Sequence, residues 1–162
     1  MTATITPTLT VSAANTTTPT SARTASTTAP LWRVAALAGV AAAAATTVVA
    51  VAAKALDVPM MAAPQNAAAG EAIPLYGFAT GTLMCTVIGT LLAAALAWKV
   101  KRAVGTFLVI TTVLTLVSFA GPATTGHATT ATRLVLDLTH VVAAVIVIPA
   151  LAWWVAQRTA TR

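Results

Sequence analysis

Four long apolar runs separated by short polar stretches occupy the chain beyond residue 30. They cover about 31–53, 74–98, 103–120 and 131–156. None keeps the two-residue alternation of a half-buried strand. As helices, rising roughly 1.5 Å per residue, all four are long enough for a hydrocarbon layer roughly 30 Å thick. The pattern predicts an all-α fold, a four-helix transmembrane bundle. Residues 1 to about 30 differ: they are mostly Thr, Ala, Ser and Pro, carry Arg23 as their only side-chain charge, and show no helical or strand period. Such a segment buries too little apolar surface to offset its ordering entropy, so a disordered tail is expected there. A short basic tail, 157–162, follows the fourth run.

Each run has its own character. The first, after Arg33, is rich in alanine and therefore inserts weakly and depends on its neighbours. Ala50-Val51-Ala52 resembles a signal-peptide cleavage site, but the apolar run is longer than the roughly 7–15 residues of a signal core and lies far from Met1, which favours a retained span. Between Lys54 and Ala72, Pro59 and Pro64 prevent a long helix, and a plain connector is expected, with Leu56, Val58, Met60 and Met61 available to the membrane surface. In the second run Pro74 suits a first helical turn. Gly77, Gly81, Cys85, Gly89, Ala93 and Ala97 then recur every fourth residue. Such a small-residue ridge lets helix backbones approach closely in lipid, and it is read here as packing within the bundle rather than as a homodimer face. Lys99, Lys101 and Arg102 mark a tight turn into the third run, which carries Thr111, Thr115 and Ser118 on one face and stops before Gly121-Pro122. His127, in the Gly/Thr loop that follows, reads as a solvated residue.

Composition narrows the classes further. With 58% of residues apolar and 7% charged, the chain lies outside the range of soluble globular domains. Its net charge of +6 is spread between the apolar runs rather than gathered in a patch, so it reads as a topology signal and not as a nucleic-acid footprint. With the N-terminus inside, Arg23, Arg33, Lys99, Lys101, Arg102, Arg158 and Arg162 are cytoplasmic and only Lys54 and Arg133 lie outside. Trp32, Trp98, Trp153 and Trp154 then fall near the inner interface and Tyr76 at the outer one. A plasma-membrane protein with both termini in the cytoplasm is expected. The single cysteine, Cys85, excludes an internal disulfide and a C-x-x-C dithiol centre.

The candidate chemistry sits on the fourth span. Arg133, Asp137, His140 and Ala144 follow i, i+4, i+7 and i+11 and share a helix face. A charge in hydrocarbon costs roughly 3 kcal/mol at the centre and less near an interface, so the face should turn into the bundle, towards Thr115 and Ser118 of span three. Two uses are open. In the structural one, Asp137 pairs with Arg133, accepts the N–H of His140, and helps hold spans three and four together. In the other, Asp137 and His140 form a proton or ion relay of a small carrier. A two-histidine haem site would need a His on a facing helix, a zinc site three or four ligands, and a nucleophile a G-x-S-x-G or S-x-x-K frame. Spans one to three hold no His and neither frame occurs, so no metal, cofactor or catalytic residue is expected. Pro149, inside the fourth span, removes the backbone bond to Val145 and predicts a kink.

Several of these residues carry a resemblance. The charged N-terminal side of span one, the S-x-x-x-P end of span three (Ser118, Pro122), the Leu-rich start of span four with His140, and I-P-A-L (Ile148 to Leu151) resemble a family of small four-span actinobacterial membrane proteins. That family is catalogued only as a domain of unknown function. The resemblance covers roughly Leu31 to Trp154, implies a membrane protein without an established activity, and brings no catalytic residues with it. Asp137 has no assigned position in the family pattern. Small four-span multidrug exporters are similar in span count, yet residues 34–53 hold no counterpart to their membrane-embedded glutamate. The expected role is an accessory or envelope-associated membrane component, not an enzyme; the alternative is a proton-coupled carrier. Its expected partners are bilayer lipid and, through helix faces, a second copy or another membrane protein.

Overall fold

The computed structural model describes residues 29–63 and 66–160. The helices are α1 (Leu31–Ala55), α2 (Leu75–Lys99), α3 (Ala103–Ser118), α4 (Ala120–Thr124) and α5 (Thr130–Ala160). A two-residue hairpin, β1 (Met61–Ala62) and β2 (Glu71–Ala72), lies between α1 and α2. Four helical segments are long and apolar enough to cross a membrane: α1, α2, α3 together with α4, and α5. The Thr-rich tail lies outside the described residues apart from its last two positions, and α5 carries the expected basic tail in helical form as far as Ala160.

The radial distribution of side chains is that of a bundle in lipid. Leu37 and Val40 on α1, Met84 and Leu91 on α2, Val109 and Val113 on α3, and Leu134 and Val145 on α5 are exposed. Thr46, Thr82, Thr86, Thr111 and Thr139 are buried. In water an apolar surface on every long helix would drive association, whereas lipid is its natural solvent. The chain is a multi-pass membrane protein.

Close packing centres on α1. It packs most extensively on α2 and α5; α3 meets the same two helices from the other side, and α2 and α5 touch each other. The alanine-rich sequence lets α1 approach both neighbours: 33% of its apolar window is buried, against 11% and 17% in the others. Its buried stripe runs Ala35, Ala38, Gly39, Ala42, Ala43, Thr46, Ala50 and Ala53, at steps of one, three and four. A Cβ on Gly39 would lie 3.1 Å from Thr86 Cγ2, so α2 packs tightly against α1 there. Deeper in the same interface the Thr46 and Thr82 hydroxyls are 3.1 Å apart.

The end of the bundle bearing Arg33, Lys99, Lys101, Arg102 and Arg158, the basic end, has an apolar core. Phe107, Leu151 and Val155 are fully buried against Ala93, Ala97, Ala103 and Trp154. Trp32, Trp98 and Trp153 face outward, and the Arg33 guanidinium lies 5.2 Å from the Trp32 ring centre. Trp154 differs from the expected interfacial role: it turns inward, and its Nε1–H donates to Ala29 O at 3.0 Å, tying the start of α1 to the end of α5.

At the opposite, loop end, the segment expected to be a plain connector is built into a cap. α1 ends with Val58 N bonded to Ala53 O and Asp57 N to Lys54 O, the two bonds of a Schellman turn. Asp57 occupies its left-handed position at φ 56°, where glycine is the unstrained residue. Asp57→Gly should therefore raise stability by about 0.5–1 kcal/mol, read as a shift in thermal or denaturant unfolding in micelles. β1 and β2 pair antiparallel, and Ala63 bridges Gly126 in the second loop. His127, also left-handed at φ 57°, is exposed as expected, but its Nε2–H donates to Ala67 O at 2.9 Å. Gly70 is needed beneath it, since a Cβ there would come within 2.9 Å of His127 Cβ. Thr129 caps α5 by accepting from Thr132 N, and the Thr132 hydroxyl donates to Pro59 O. Gly121-Pro122 does not stop the third span as expected: α3 ends at Ser118, and the pair lies within the next turn, α4, where the missing N–H of Pro122 falls in a first helical turn and Pro122 is buried. Pro149 faces outward and α5 continues through it.

Candidate functional site: an intramembrane cleft

The cleft exists because α2 lacks side chains where α3 and α5 would otherwise meet it. Gly77, Gly81, Cys85 and Gly89 all line a partly open cavity of about 550 Å³ between α2, α3 and α5. A Cβ on Gly81 would meet nothing within 4 Å, Cys85 is exposed, and a Cβ on Gly89 would lie 3.5 Å from Leu151 Cδ1. The first part of the ridge expected to serve close helix packing, Gly77 to Cys85, thus borders a gap, whereas its continuation through Ala93 and Ala97 is fully buried in the bundle. The tight contact to α1 is made about one residue further round α2, by Thr82 and Thr86. From Gly77 to Leu92 the cleft follows α2 for about 22 Å.

The candidate polar residues divide between two places. His140, Thr115 and Ser118 line the cleft, joined by Thr111 and Thr139. Asp137 and Arg133 do not. His140 Nδ1 lies 2.7 Å from Leu136 O, one turn back on α5; a carbonyl only accepts, so Nδ1 carries a proton, and in the neutral imidazole Nε2 is left as the acceptor. The ring stands edge-on to Phe119, with centroids 6.4 Å apart and planes at 83°. Arg133 donates from Nη2 to Thr125 O at 3.0 Å in the cap. Arg133 Nε and Asp137 Oδ1 are buried with no hydrogen-bond partner among the described residues. In place of the expected bonds to Asp137, both donors turn to backbone carbonyls, Arg133 to Thr125 O and His140 to Leu136 O.

Hydroxyl protons around the cleft are likewise committed to backbone. Thr111 donates to Phe107 O, Thr115 to Thr111 O, Ser118 to Thr115 O, Thr139 to Leu136 O and Thr86 to Thr82 O, at 2.6–2.8 Å. Thr46 donates to Ala43 O, which leaves Thr82 as donor in the pair they form. Each hydroxyl then offers the cleft lone pairs and no proton. Among the described residues no group of three or more His, Cys, Asp or Glu is placed to hold a metal ion.

A family model matches residues 26–157, the whole helical bundle from just before α1 to near the end of α5. The chain belongs to DUF6069, a family of unknown function. No curated protein and no solved structure matches it. The match agrees with the resemblance carried by Ser118, Pro122, His140 and the Ile148–Leu151 stretch, and it takes in every residue lining the DUF6069 cleft. Sequence reading had placed Thr111, Thr115 and Ser118 on one face, and that face is the cleft wall. Thr139, Thr82 and Thr86 were missed. Their signal was present as hydroxyl residues next to His140 and beside the glycine ridge, but nothing in the spacing singled it out.

Proposed function

We propose that this DUF6069 protein is a non-catalytic component of the plasma membrane, an accessory of the cell envelope that acts through contacts made within the bilayer, with both termini in the cytoplasm. The observation that supports this reading is the cleft. It is open along the bundle, lined by three helices and almost wholly apolar, which suits recognition of a membrane constituent more than turnover of a soluble substrate. The clustering of basic residues and three outward tryptophans at one end supports the orientation. A reporter fused after Arg162 should be active in the cytoplasm; activity confined to the outside would reverse the topology.

A proton-coupled carrier is the second reading, favoured by the buried Asp137 Oδ1 without a partner and by His140 at the cleft wall. The two readings separate in proteoliposomes. The accessory role predicts no proton flux above empty vesicles. It also predicts that Asp137→Asn and His140→Gln unfold within about 1 kcal/mol of the parent, because neither side chain donates or accepts across helices. Flux in the parent that either substitution abolishes would establish the carrier.

A further inference from the structure

We infer that the cleft binds an uncharged, elongated apolar molecule bearing a hydroxyl group, and that His140 accepts the hydroxyl proton. The inference rests on the reading of the cleft as lying within the bilayer. Three features define the ligand. The volume, about 550 Å³, is in the range of small-molecule sites, and the length of about 22 Å along α2 calls for a long body rather than a compact one. The polar lining is one-sided: Thr111, Thr115, Ser118 and Thr139 have given their protons to carbonyls, and His140 retains only Nε2. Cys85 adds no more than a weak S–H donor. A ligand must therefore supply the proton, and an ether, ester or ketone of the same shape leaves these acceptors without one.

Charge is the third feature. Among the described residues no acid lines the cleft to receive an ammonium, and no Lys or Arg lines it to receive a carboxylate or phosphate. His140 also lies seven residues along α5 from Arg133, roughly 10 Å deeper, where an ionic headgroup is costly. A neutral hydroxyl meets both conditions. From His140 to Leu151 the cleft continues for about 16 Å, which gives the apolar body its place.

The test uses the purified full-length protein in phosphatidylcholine vesicles and a long-chain primary alcohol carrying a mid-chain diazirine. Its methyl ether, amine and carboxylic acid serve as matched probes. The alcohol should crosslink to α3 and α5 within the cleft with an apparent affinity about tenfold above that of the ether. His140→Leu should remove that preference, and His140→Gln, which keeps a carbonyl acceptor, should restore part of it. Gly81→Leu should fill the cleft and lower labelling by all probes about tenfold, since its side chain enters open space; Cys85→Phe is the second blocking variant, and far-UV circular dichroism checks the fold of each. Equal labelling by alcohol and ether, preference for the amine or the acid, or labelling unaffected by both blocking variants would overturn the inference. The topology and flux measurements report on the accessory reading separately, so either failure is recognised by itself.

Discussion

Phe107→Ala should lower the unfolding free energy of the bundle by about 2–3 kcal/mol, below the roughly 3–5 kcal/mol seen for such changes in soluble cores. Phe107 is fully buried at the basic end, where α2, α3 and α5 converge with Ala93, Ala97, Leu151 and Val155. Removing the ring leaves a cavity that a helix backbone cannot collapse into, and the lost contacts are dispersion contacts. The transfer part of the usual penalty is small here, because lipid tails solvate a phenyl ring about as well as the protein interior does. Val113→Ala on the same helix is the control. Val113 is 51% exposed, so its truncation should change stability by less than about 0.5 kcal/mol. Unfolding in mixed micelles with increasing dodecyl sulfate measures both. Equal effects at the two sites would mean that α3 does not dock through Phe107.

Gly39→Leu is expected to loosen α1 from the bundle, at about 2–3 kcal/mol. Even a Cβ at this position would press on Thr86 Cγ2 at 3.1 Å and touch Leu83 Cδ2 at 3.5 Å, and the remaining leucine atoms have nowhere to go. Docking of α1 can be read directly. With Cys85 replaced by serine, cysteines at positions 46 and 82, whose hydroxyl oxygens are 3.1 Å apart, should crosslink readily in the parent. They should crosslink poorly once Gly39→Leu is added. Gly81→Leu should leave both stability and crosslinking unchanged, since that glycine borders the cleft. If Gly81→Leu were the destabilising change and Gly39→Leu the silent one, the assignment of packing helix and cleft helix would be reversed.

These two glycines mark where sequence reasoning was able to reach. Both helices carry small residues at steps of three and four, and spacing alone cannot say which stripe meets a neighbour and which faces a gap. The every-fourth-residue ridge of α2 is the more regular one, yet α1 packs more closely, because its buried stripe of alanines with Gly39 and Thr46 lets both α2 and α5 approach it. The polar face of α5 divided for a related reason. Three residues along a helix turn about 300°, so Asp137 and His140 point about 60° apart. That angle suffices to put His140 in the cleft wall and leave Asp137 outside it. Arg133 was out of reach of prediction as well, because its carbonyl partner belongs to the preceding loop.

Four lipid-crossing segments, the gathering of basic residues and tryptophans towards one end, and family membership were legible in the chain before any packing was known. All of these follow from one-dimensional requirements: a helix must be long and apolar enough for lipid, and charges must stay near its ends. It took the tertiary arrangement to show that the glycines of α2 line a cleft, that Trp154 turns inward, that the two loops interlock as a cap, and that apart from the weak thiol donor of Cys85 the cleft presents acceptors. Those properties depend on which helix lies beside which and on which carbonyl is nearest each hydroxyl, distances that no single segment specifies.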